Sequence, residues 1–362
     1  MNPRPGPVKR AQLKLFSKLL DRRIAEHPLR TLFWECTLRC NASCLHCGSD
    51  CKSTAGVRDM PAADFLRVVD SLRPHVDPHK VFVIFTGGEP LVRCDLAKVG
   101  LELYRREFPW GIVTNGILLT RERFAELLAA GMHAATVSLD GFREQHTWMR
   151  GNPLAYDMAV GAIRMMAGEP GFVFDVVTCV NSRNFDDLAP FRDFLIDMGV
   201  GRWRIFTVFP VGRAACEPEL RISDKQFGQL MDFIARTRLE GKIDLRFACE
   251  GFLGSYEGLV RPDFYQCNAG VTVASVLADG SISACPSIRS EFIQGNIYRD
   301  DFWRVWNEEF RMHRDRSWAR DGECADCEMF EYCRGGGLHL RTPERKLLLC
   351  HYKRLSLDKT LN

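Results

Sequence analysis

The sequence predicts an α/β protein in which a partial (β/α)6 barrel is followed by a small, cysteine-rich C-terminal domain. Short β-rich apolar runs alternate with helical segments over residues 30–215, a pattern typical of parallel strands joined by crossover helices. Glycine and polar residues recur where these runs end, and a parallel barrel carries its chemistry at the C-terminal ends of its strands. The 15 cysteines of the 362-residue chain gather at spacings that favour metal binding over a disulfide framework.

Residues 1–29 predict an amphipathic helix, because lysines and arginines alternate there with leucine, phenylalanine and isoleucine. The segment lacks the uninterrupted apolar core of a signal peptide, and no other window approaches a membrane span. We therefore expect a cytoplasmic protein whose first helix packs on the barrel; a helix that docks on a membrane surface or a partner is the alternative. A net charge of +3 gives no reason to expect nucleic acid as a partner.

The barrel is expected over residues 30–215. Its strands are predicted at 30–35, 81–86, 111–114, 134–139, 172–178 and 203–209, with helices at 59–72, 95–107, 121–130, 156–166 and 186–198. A bridging region over 216–248 contains a helix capped by Ser223 and a strand over 242–247. The C-terminal domain then occupies 249–362.

A loop with three closely spaced cysteines, Cys40, Cys44 and Cys47, directly follows the first strand. These thiols are too close together to pair usefully as disulfides. They are also one ligand short of a four-coordinate metal, so a four-iron cluster on this loop would keep one iron without a protein ligand. The alternatives are a zinc loop, or cysteines that only pack as small apolar side chains.

The spacing resembles the CxxxCxxC signature of the radical SAM superfamily, and the strand ends strengthen the resemblance. The GGEP sequence after the second strand matches a family motif that binds the methionyl amino group of S-adenosylmethionine. The resemblance implies a [4Fe-4S] cluster whose open iron binds S-adenosylmethionine and which, once reduced, cleaves it to a 5′-deoxyadenosyl radical. It also implies that the following residues contact S-adenosylmethionine: Gly87, Gly88, Glu89, Asn115, Ser138, Asp140 and Arg150.

The second block of cysteines resembles the SPASM extension of radical SAM enzymes, which carries one or two auxiliary [4Fe-4S] clusters. The resemblance implies that auxiliary cluster II is held by Cys324, Cys327, Cys333 and Cys350. Auxiliary cluster I would use Cys249, Cys267 and Cys285. A zinc ribbon is the alternative for this block.

Auxiliary cluster I lacks one thiolate, because Gly337 stands where the family has its fourth cysteine. Three outcomes remain open: an open iron, a substitute ligand or no cluster. Our preferred hypothesis is a cluster on the three cysteines whose fourth position is open or taken by His339. An imidazole in place of a thiolate would raise the cluster's potential.

The resemblance implies an enzyme that cleaves S-adenosylmethionine reductively and abstracts hydrogen from a peptide or protein side chain. An auxiliary cluster could accept an electron from the substrate radical, and a flavodoxin or ferredoxin would serve as reductant. Stretches 31–40, 177–181 and 283–289 look like a subgroup encoded beside small lipoproteins, which makes such a lipoprotein a candidate partner. The alternatives are a small-molecule radical enzyme of a cofactor or sugar pathway, a non-catalytic iron-sulfur carrier or sensor, and a zinc-stabilised binding module.

Overall fold

The computed structural model describes residues 2–357, and its strands form one continuous sheet. The strands are β1 (Thr31–Thr37), β2 (Phe82–Gly87), β3 (Trp110–Thr114), β4 (Met132–Ser138), β5 (Val173–Val180), β6 (Arg202–Thr207), β7 (Asp244–Phe247), β8 (Val273–Val276), β9 (Ser281–Ser283) and β10 (Gly295–Asn296). The six predicted barrel strands are all present. The strand expected in the bridging region is β7, which continues the parallel sheet beyond β6.

The helices lie between these strands and at both ends of the described chain. They are α1 (Pro7–Glu26), α2 (Ala62–Leu72), α3 (Leu96–Arg105), α4 (Arg121–Ala129), α5 (Arg143–Arg150), α6 (Ala155–Ala167), α7 (Leu188–Asp197), α8 (Asp224–Glu240), α9 (Phe302–Glu308), α10 (Arg311–Arg314), α11 (Phe330–Cys333) and α12 (His351–Leu357). Within residues 2–357, no helix combines the length and apolarity needed to cross a membrane.

The sheet order is β10-β9-β8-β1-β2-β3-β4-β5-β6-β7. Strands β1 to β7 are parallel neighbours in chain order, as crossover helices require. Strand β8 comes from the second cysteine block and pairs parallel with β1, whereas β9 and β10 continue the sheet as antiparallel strands. The second block is therefore joined to the barrel through the sheet itself.

Two helix boundaries and one whole helix depart from the sequence prediction for local reasons. Helix α2 begins at Ala62, three residues later than expected, because Pro61 precedes it in an extended conformation. Helix α1 ends at Glu26, where His27 takes a left-handed conformation and a proline follows. Helix α5 was not predicted, because its buried residues include His146 and Arg150 as well as an apolar side chain, so it lacks a regular apolar stripe.

Stacked aromatic rings form the core next to β1. Trp34 lies parallel to Phe65 of α2 at 4.4 Å and edge-on to Phe85 of β2 at 5.5 Å. Trp110 of β3 continues the row at 5.2 Å from Phe85. All four rings are fully buried, so this packing fixes how the first three strands sit beneath their helices.

We predict that Gly100→Ala destabilises the protein although alanine is the better helix former. A methyl group at residue 100 of α3 would lie 2.2 Å from the Trp110 ring, and overpacking of this kind costs about 1–3 kcal/mol of unfolding free energy. Gly161→Ala in α6 is the matched control, since nothing lies within 4 Å of its added methyl group, and it should gain about 0.5–1 kcal/mol. Thermal unfolding followed by circular dichroism measures both; equal shifts in the two variants would contradict the prediction.

Candidate active site and auxiliary cluster sites

The three-cysteine loop lies at the C-terminal edge of the sheet and is held there by backbone hydrogen bonds. The Cys40 N–H donates to the Lys52 carbonyl at 2.7 Å, while Ser43 and Leu45 donate to carbonyls at the end of α5, each at 2.9 Å. The three thiols Cys40, Cys44 and Cys47 belong to one apolar contact cluster with Ala42, Ile117, Ala155 and Met158. The unpredicted helix α5 is thus a principal support of this loop.

A fourth cysteine, Cys51, forms hydrogen bonds with the last cysteine of the loop. Its backbone N–H donates to the Cys47 sulfur at 3.4 Å. Hydrogen bonds from the Cys51 thiol and backbone lower the pKa of Cys47 although burial opposes this, whereas burial raises the pKa of Cys40 and Cys44. Metal-binding cysteines act as thiolates, so this environment favours the form of Cys47 that a cluster requires.

The GGEP turn packs directly on this loop. Methyl groups at residues 87 and 88 would lie 2.1 and 2.2 Å from the carbonyl oxygens of Thr37 and Arg39, so only glycines allow this approach. The turn's N–H groups at Gly88 and Glu89 donate to the same two carbonyls, at 2.8 and 2.9 Å. The turn and the cysteine loop therefore form one unit.

Glu89 is the buried acceptor of this unit. Its Oε1 accepts hydrogen bonds from Thr114 Oγ1 at 2.7 Å and Leu91 N–H at 3.1 Å, and its Oε2 accepts one from Asn115 N–H at 2.8 Å. Burial raises the pKa of Glu89 to about 7, and these hydrogen bonds oppose the rise. Because each carboxylate oxygen offers two lone pairs, Oε2 can accept a further hydrogen bond from a ligand.

Asn115 connects this carboxylate to the cysteine loop. Its side-chain Nδ2 donates to Asn41 Oδ1 at 2.7 Å and lies 3.9 Å from the Cys40 sulfur. Ser138, at the end of β4, is half-buried and makes no side-chain hydrogen bond within the described part of the chain. The ends of β2 and β3 thus converge on Cys40.

A buried ion pair lies beneath Cys44. Arg150 Nε donates to Asp140 Oδ2 at 2.6 Å, and its Nη1 lies 3.8 Å from the Cys44 sulfur. Burial opposes ionisation of Asp140, yet Arg150 holds the pKa of that carboxyl at about 2. Asp140 also accepts the Cys179 N–H at 2.9 Å, so the pair joins the ends of β4 and β5 to the three-cysteine loop.

The four cysteines expected at auxiliary cluster II line one cavity of about 460 Å³. Its other walls are mostly apolar and include Phe252, Met329, Phe330 and Leu347. Burial, followed by the three neighbouring thiols, raises the pKa of Cys333 to about 12. Four neighbouring thiols whose thiolate forms would repel one another fit a metal cluster, because the metal neutralises that charge.

Cys249, Cys267 and Cys285 lie close enough to influence one another electrostatically. Burial and the two other thiols raise the pKa of Cys285 to about 12. A methyl group at residue 337 would lie 2.6 Å from the Glu250 carbonyl oxygen, so this backbone leaves no room for a cysteine there. The three thiols therefore lie near one another, and residue 337 cannot add a fourth.

His339 lies on the wall of a different cavity, of about 520 Å³, which it shares with Cys47, Phe209 and Arg289. Its ring packs on Phe209 at 5.1 Å, and burial lowers its pKa to about 4. None of the three thiols of auxiliary site I lines this cavity, whereas Cys249 lines another of about 800 Å³. The same ring lies beside Gly337, where an added methyl group would be 2.7 Å from its Cε1 atom. His339 therefore lines the cavity beside the three-cysteine loop and also lies next to the position of the missing cysteine.

A buried Glu–His pair that the sequence did not reveal joins the two auxiliary sites. Glu250 and His351 are completely buried, with the His351 Nε2 2.9 Å from Glu250 Oε2. Each follows a candidate ligand, Cys249 or Cys350, and Glu250 also accepts the Thr207 hydroxyl at 2.6 Å. Neither residue belongs to a recognisable motif, so only their adjacency to cysteines could have indicated a role.

The arrangement of these side chains differs from that of a single-ion site. Within residues 2–357, no group of three or more His, Cys, Asp or Glu side chains is placed to hold one metal ion. A tetrahedral zinc site needs its ligands around one centre, whereas the cysteines of a four-iron cluster bind separate irons.

Comparison with known proteins identifies the family. Residues 34–195 match the model of the radical SAM superfamily, and residues 267–328 match that of the SPASM iron-sulfur cluster-binding domain. The mycofactocin maturase MftC of Mycolicibacterium smegmatis is 31% identical over 84% of this chain and 77% of its own. The AdoMet-dependent heme synthase of Methanosarcina barkeri is 27% identical over 84% of this chain and 90% of its own.

Solved structures share the fold at low identity. A structure titled native anSMEcpe with bound AdoMet matches with a TM-score of 0.72 and 18% identity over 91% of this chain and 95% of that one. Streptococcus suis SuiB bound to S-adenosylmethionine matches with a TM-score of 0.68 and 17% identity over 90% and 79%. Together with the sequence matches, they set aside the electron-carrier and zinc-module alternatives: the chain belongs to the radical SAM/SPASM family of iron-sulfur enzymes that use S-adenosylmethionine.

Proposed function

We propose that this enzyme binds S-adenosylmethionine between the three-cysteine loop and the ends of β2 to β5. This proposal is supported by two series of buried contacts that begin at the loop cysteines. One leads from Cys40 through Asn115 to Glu89. The other leads from Cys44 through Arg150 to Asp140. A reduced [4Fe-4S] cluster on Cys40, Cys44 and Cys47 would supply the electron that cleaves the sulfonium to a 5′-deoxyadenosyl radical.

The residues around this cluster have separate tasks in the proposal. Glu89 accepts a hydrogen bond from the methionyl amino group through its unfilled Oε2 position. Arg150 faces the methionyl carboxylate while Asp140 fixes its orientation. Asn115 and Ser138, at the ends of neighbouring strands, offer polar groups to the ribose hydroxyls.

We infer that the substrate is a peptide or protein side chain, bound in the 520 Å³ cavity beside Cys47. This cavity separates the three-cysteine loop from the SPASM segment and presents both apolar and cationic side chains, among them Phe209 and Arg289. The inference is supported by relatives whose names or titles describe a maturase, a precursor peptide and a bound peptide. The AdoMet-dependent heme synthase relatives favour a small-molecule substrate as the second candidate.

The auxiliary clusters complete the proposal. Cluster II is held by the four cysteines of the 460 Å³ cavity, and cluster I by Cys249, Cys267 and Cys285. The fourth position of cluster I is open or taken by His339, whose ring lies beside Gly337. A flavodoxin or ferredoxin supplies the reducing electron in the cytoplasm, and a lipoprotein encoded nearby remains a candidate protein substrate.

The first test measures 5′-deoxyadenosine from reconstituted protein incubated anaerobically with S-adenosylmethionine and dithionite. We expect product from the wild type and none from Cys44→Ala, because the variant loses one of three cluster thiolates. Cys94→Ala is the control, since that cysteine is exposed and outside the site. Equal product from wild type and Cys44→Ala would refute the assignment of the loop.

Glu89→Gln should weaken S-adenosylmethionine binding by roughly 10- to 150-fold, which corresponds to the roughly 1.5–3 kcal/mol of a hydrogen bond to a charged group. Since the pKa of Glu89 is about 7, the wild-type affinity should fall as the pH drops through 7 and the carboxylate gains a proton. Equilibrium dialysis between pH 6 and 8 measures this. The variant should lack that dependence, and the exposed Glu122→Gln control should keep it; a Glu89→Gln profile like the wild type would contradict the role.

Iron content separates the outcomes for auxiliary site I. Three clusters predict about twelve iron atoms per chain in the wild type and about eight in Cys249→Ala. The exposed Cys216→Ala is the control and should keep the wild-type content. A wild-type value near eight would remove the cluster at this site.

The substrate class is tested by adding host extract, separated by ultrafiltration, to the S-adenosylmethionine cleavage assay. A peptide or protein substrate predicts that only the large fraction accelerates 5′-deoxyadenosine formation, and that protease treatment abolishes the acceleration. Acceleration by the small-molecule fraction alone would favour the second candidate.

A further inference from the structure

Arg341 stands between the substrate cavity and auxiliary cluster II. Its side chain is 7% exposed, and its Nη2 lies 3.7 Å from the sulfur of Cys324. Arg341 also lines the 520 Å³ cavity that contains Cys47 and His339. Arg341 therefore lines the proposed substrate site, and its guanidinium contacts a candidate cluster ligand.

The position of this guanidinium is determined by several contacts. Nε and Nη2 donate to the Gly335 carbonyl at 3.2 and 3.0 Å, and Nη1 donates to the Arg345 carbonyl at 2.8 Å. The Trp318 ring lies 5.4 Å from the guanidinium carbon. These contacts leave Nη2 directed at Cys324 without rearrangement.

Arg341 makes no ion pair with a carboxylate in residues 2–357; its hydrogen-bond acceptors are backbone carbonyls and the Cys324 sulfur. A buried cation without a counter-charge is costly. Four thiolates bound to a cluster would provide that negative charge beside Nη2.

We propose that Arg341 is a positioning residue that raises the reduction potential of auxiliary cluster II. A cation that donates a hydrogen bond to a ligand sulfur stabilises the cluster more after it gains an electron, because the negative charge has increased. The proposal rests on the assignment of Cys324, Cys327, Cys333 and Cys350 made above. As a consequence, this cluster would accept an electron more readily from a substrate radical bound in the neighbouring cavity.

The test is a redox titration of the cluster-loaded enzyme followed by electron paramagnetic resonance. Arg341→Gln keeps a hydrogen-bonding side chain but removes the charge. We expect a tenfold shift of the reduction equilibrium, a potential more negative by about 59 mV for a one-electron couple. Arg341→Lys restores the charge and should recover part of the shift.

Arg345→Gln is the matched control. Arg345 lies over the same Trp318 ring at 5.6 Å, is exposed and makes no contact with Cys324, so its loss should leave the potential unchanged. All variants should keep the wild-type iron content, which shows that the clusters are loaded. Arg345→Gln should also keep the wild-type rate of dithionite-driven S-adenosylmethionine cleavage.

An Arg341→Gln enzyme with full iron content and the wild-type potential would overturn the proposal. An equal shift in Arg345→Gln would also overturn it, since the effect would then be general. If Arg341→Gln does not fold, Arg341→Lys decides: its potential should lie below that of the wild type. Unchanged iron content in Cys324→Ala would refute the cluster assignment on which the proposal rests. That result would not contradict the proposed cleavage of S-adenosylmethionine at the three-cysteine loop.

Discussion

Strand β1 pairs with β2 on one side and with β8 on the other, and this double pairing determines how the two cysteine blocks face each other. The strand ends in the three-cysteine loop, while β8 and its hairpin lead to Cys285. Glu35, buried near the end of β1, accepts the Ala278 N–H at 3.1 Å and forms an ion pair with Arg289. A buried carboxylate requires such partners. The sheet and this ion pair therefore fix the position of the two cysteine blocks relative to each other.

Charges next to the thiols are arranged differently at the two best-defined sites. At the three-cysteine loop, the Arg150 guanidinium forms an ion pair with Asp140 and also lies beside the Cys44 sulfur. Beside auxiliary site II, the hydrogen-bond acceptors of Arg341 within residues 2–357 are backbone carbonyls and the Cys324 sulfur, so no carboxylate there neutralises its charge. Cluster potentials depend on local charge and on hydrogen bonds to sulfur, and these arrangements should therefore give the two clusters different potentials.

The parallel strands could be predicted because each is a short β-rich run followed by glycine or polar residues. Two parts of the fold could not. Helix α5 buries His146 and Arg150, so it has no regular apolar stripe for a sequence pattern to detect. The addition of β8 to β10 to the barrel sheet depends on pairing between Thr31 and Val273, and no local pattern specifies such a distant partner.

The sequence by itself determined which cysteines form groups and which motifs end the strands, because a ligand loop depends on gaps of two or three residues. The contacts between those groups were decided by the tertiary structure. Glu250 and His351 meet across 101 residues, and His339 lines the cavity beside Cys47 although it lies between Cys333 and Cys350 in the chain. The physical reason is that sheet order and register bring distant segments together, whereas spacing along the chain describes only neighbours.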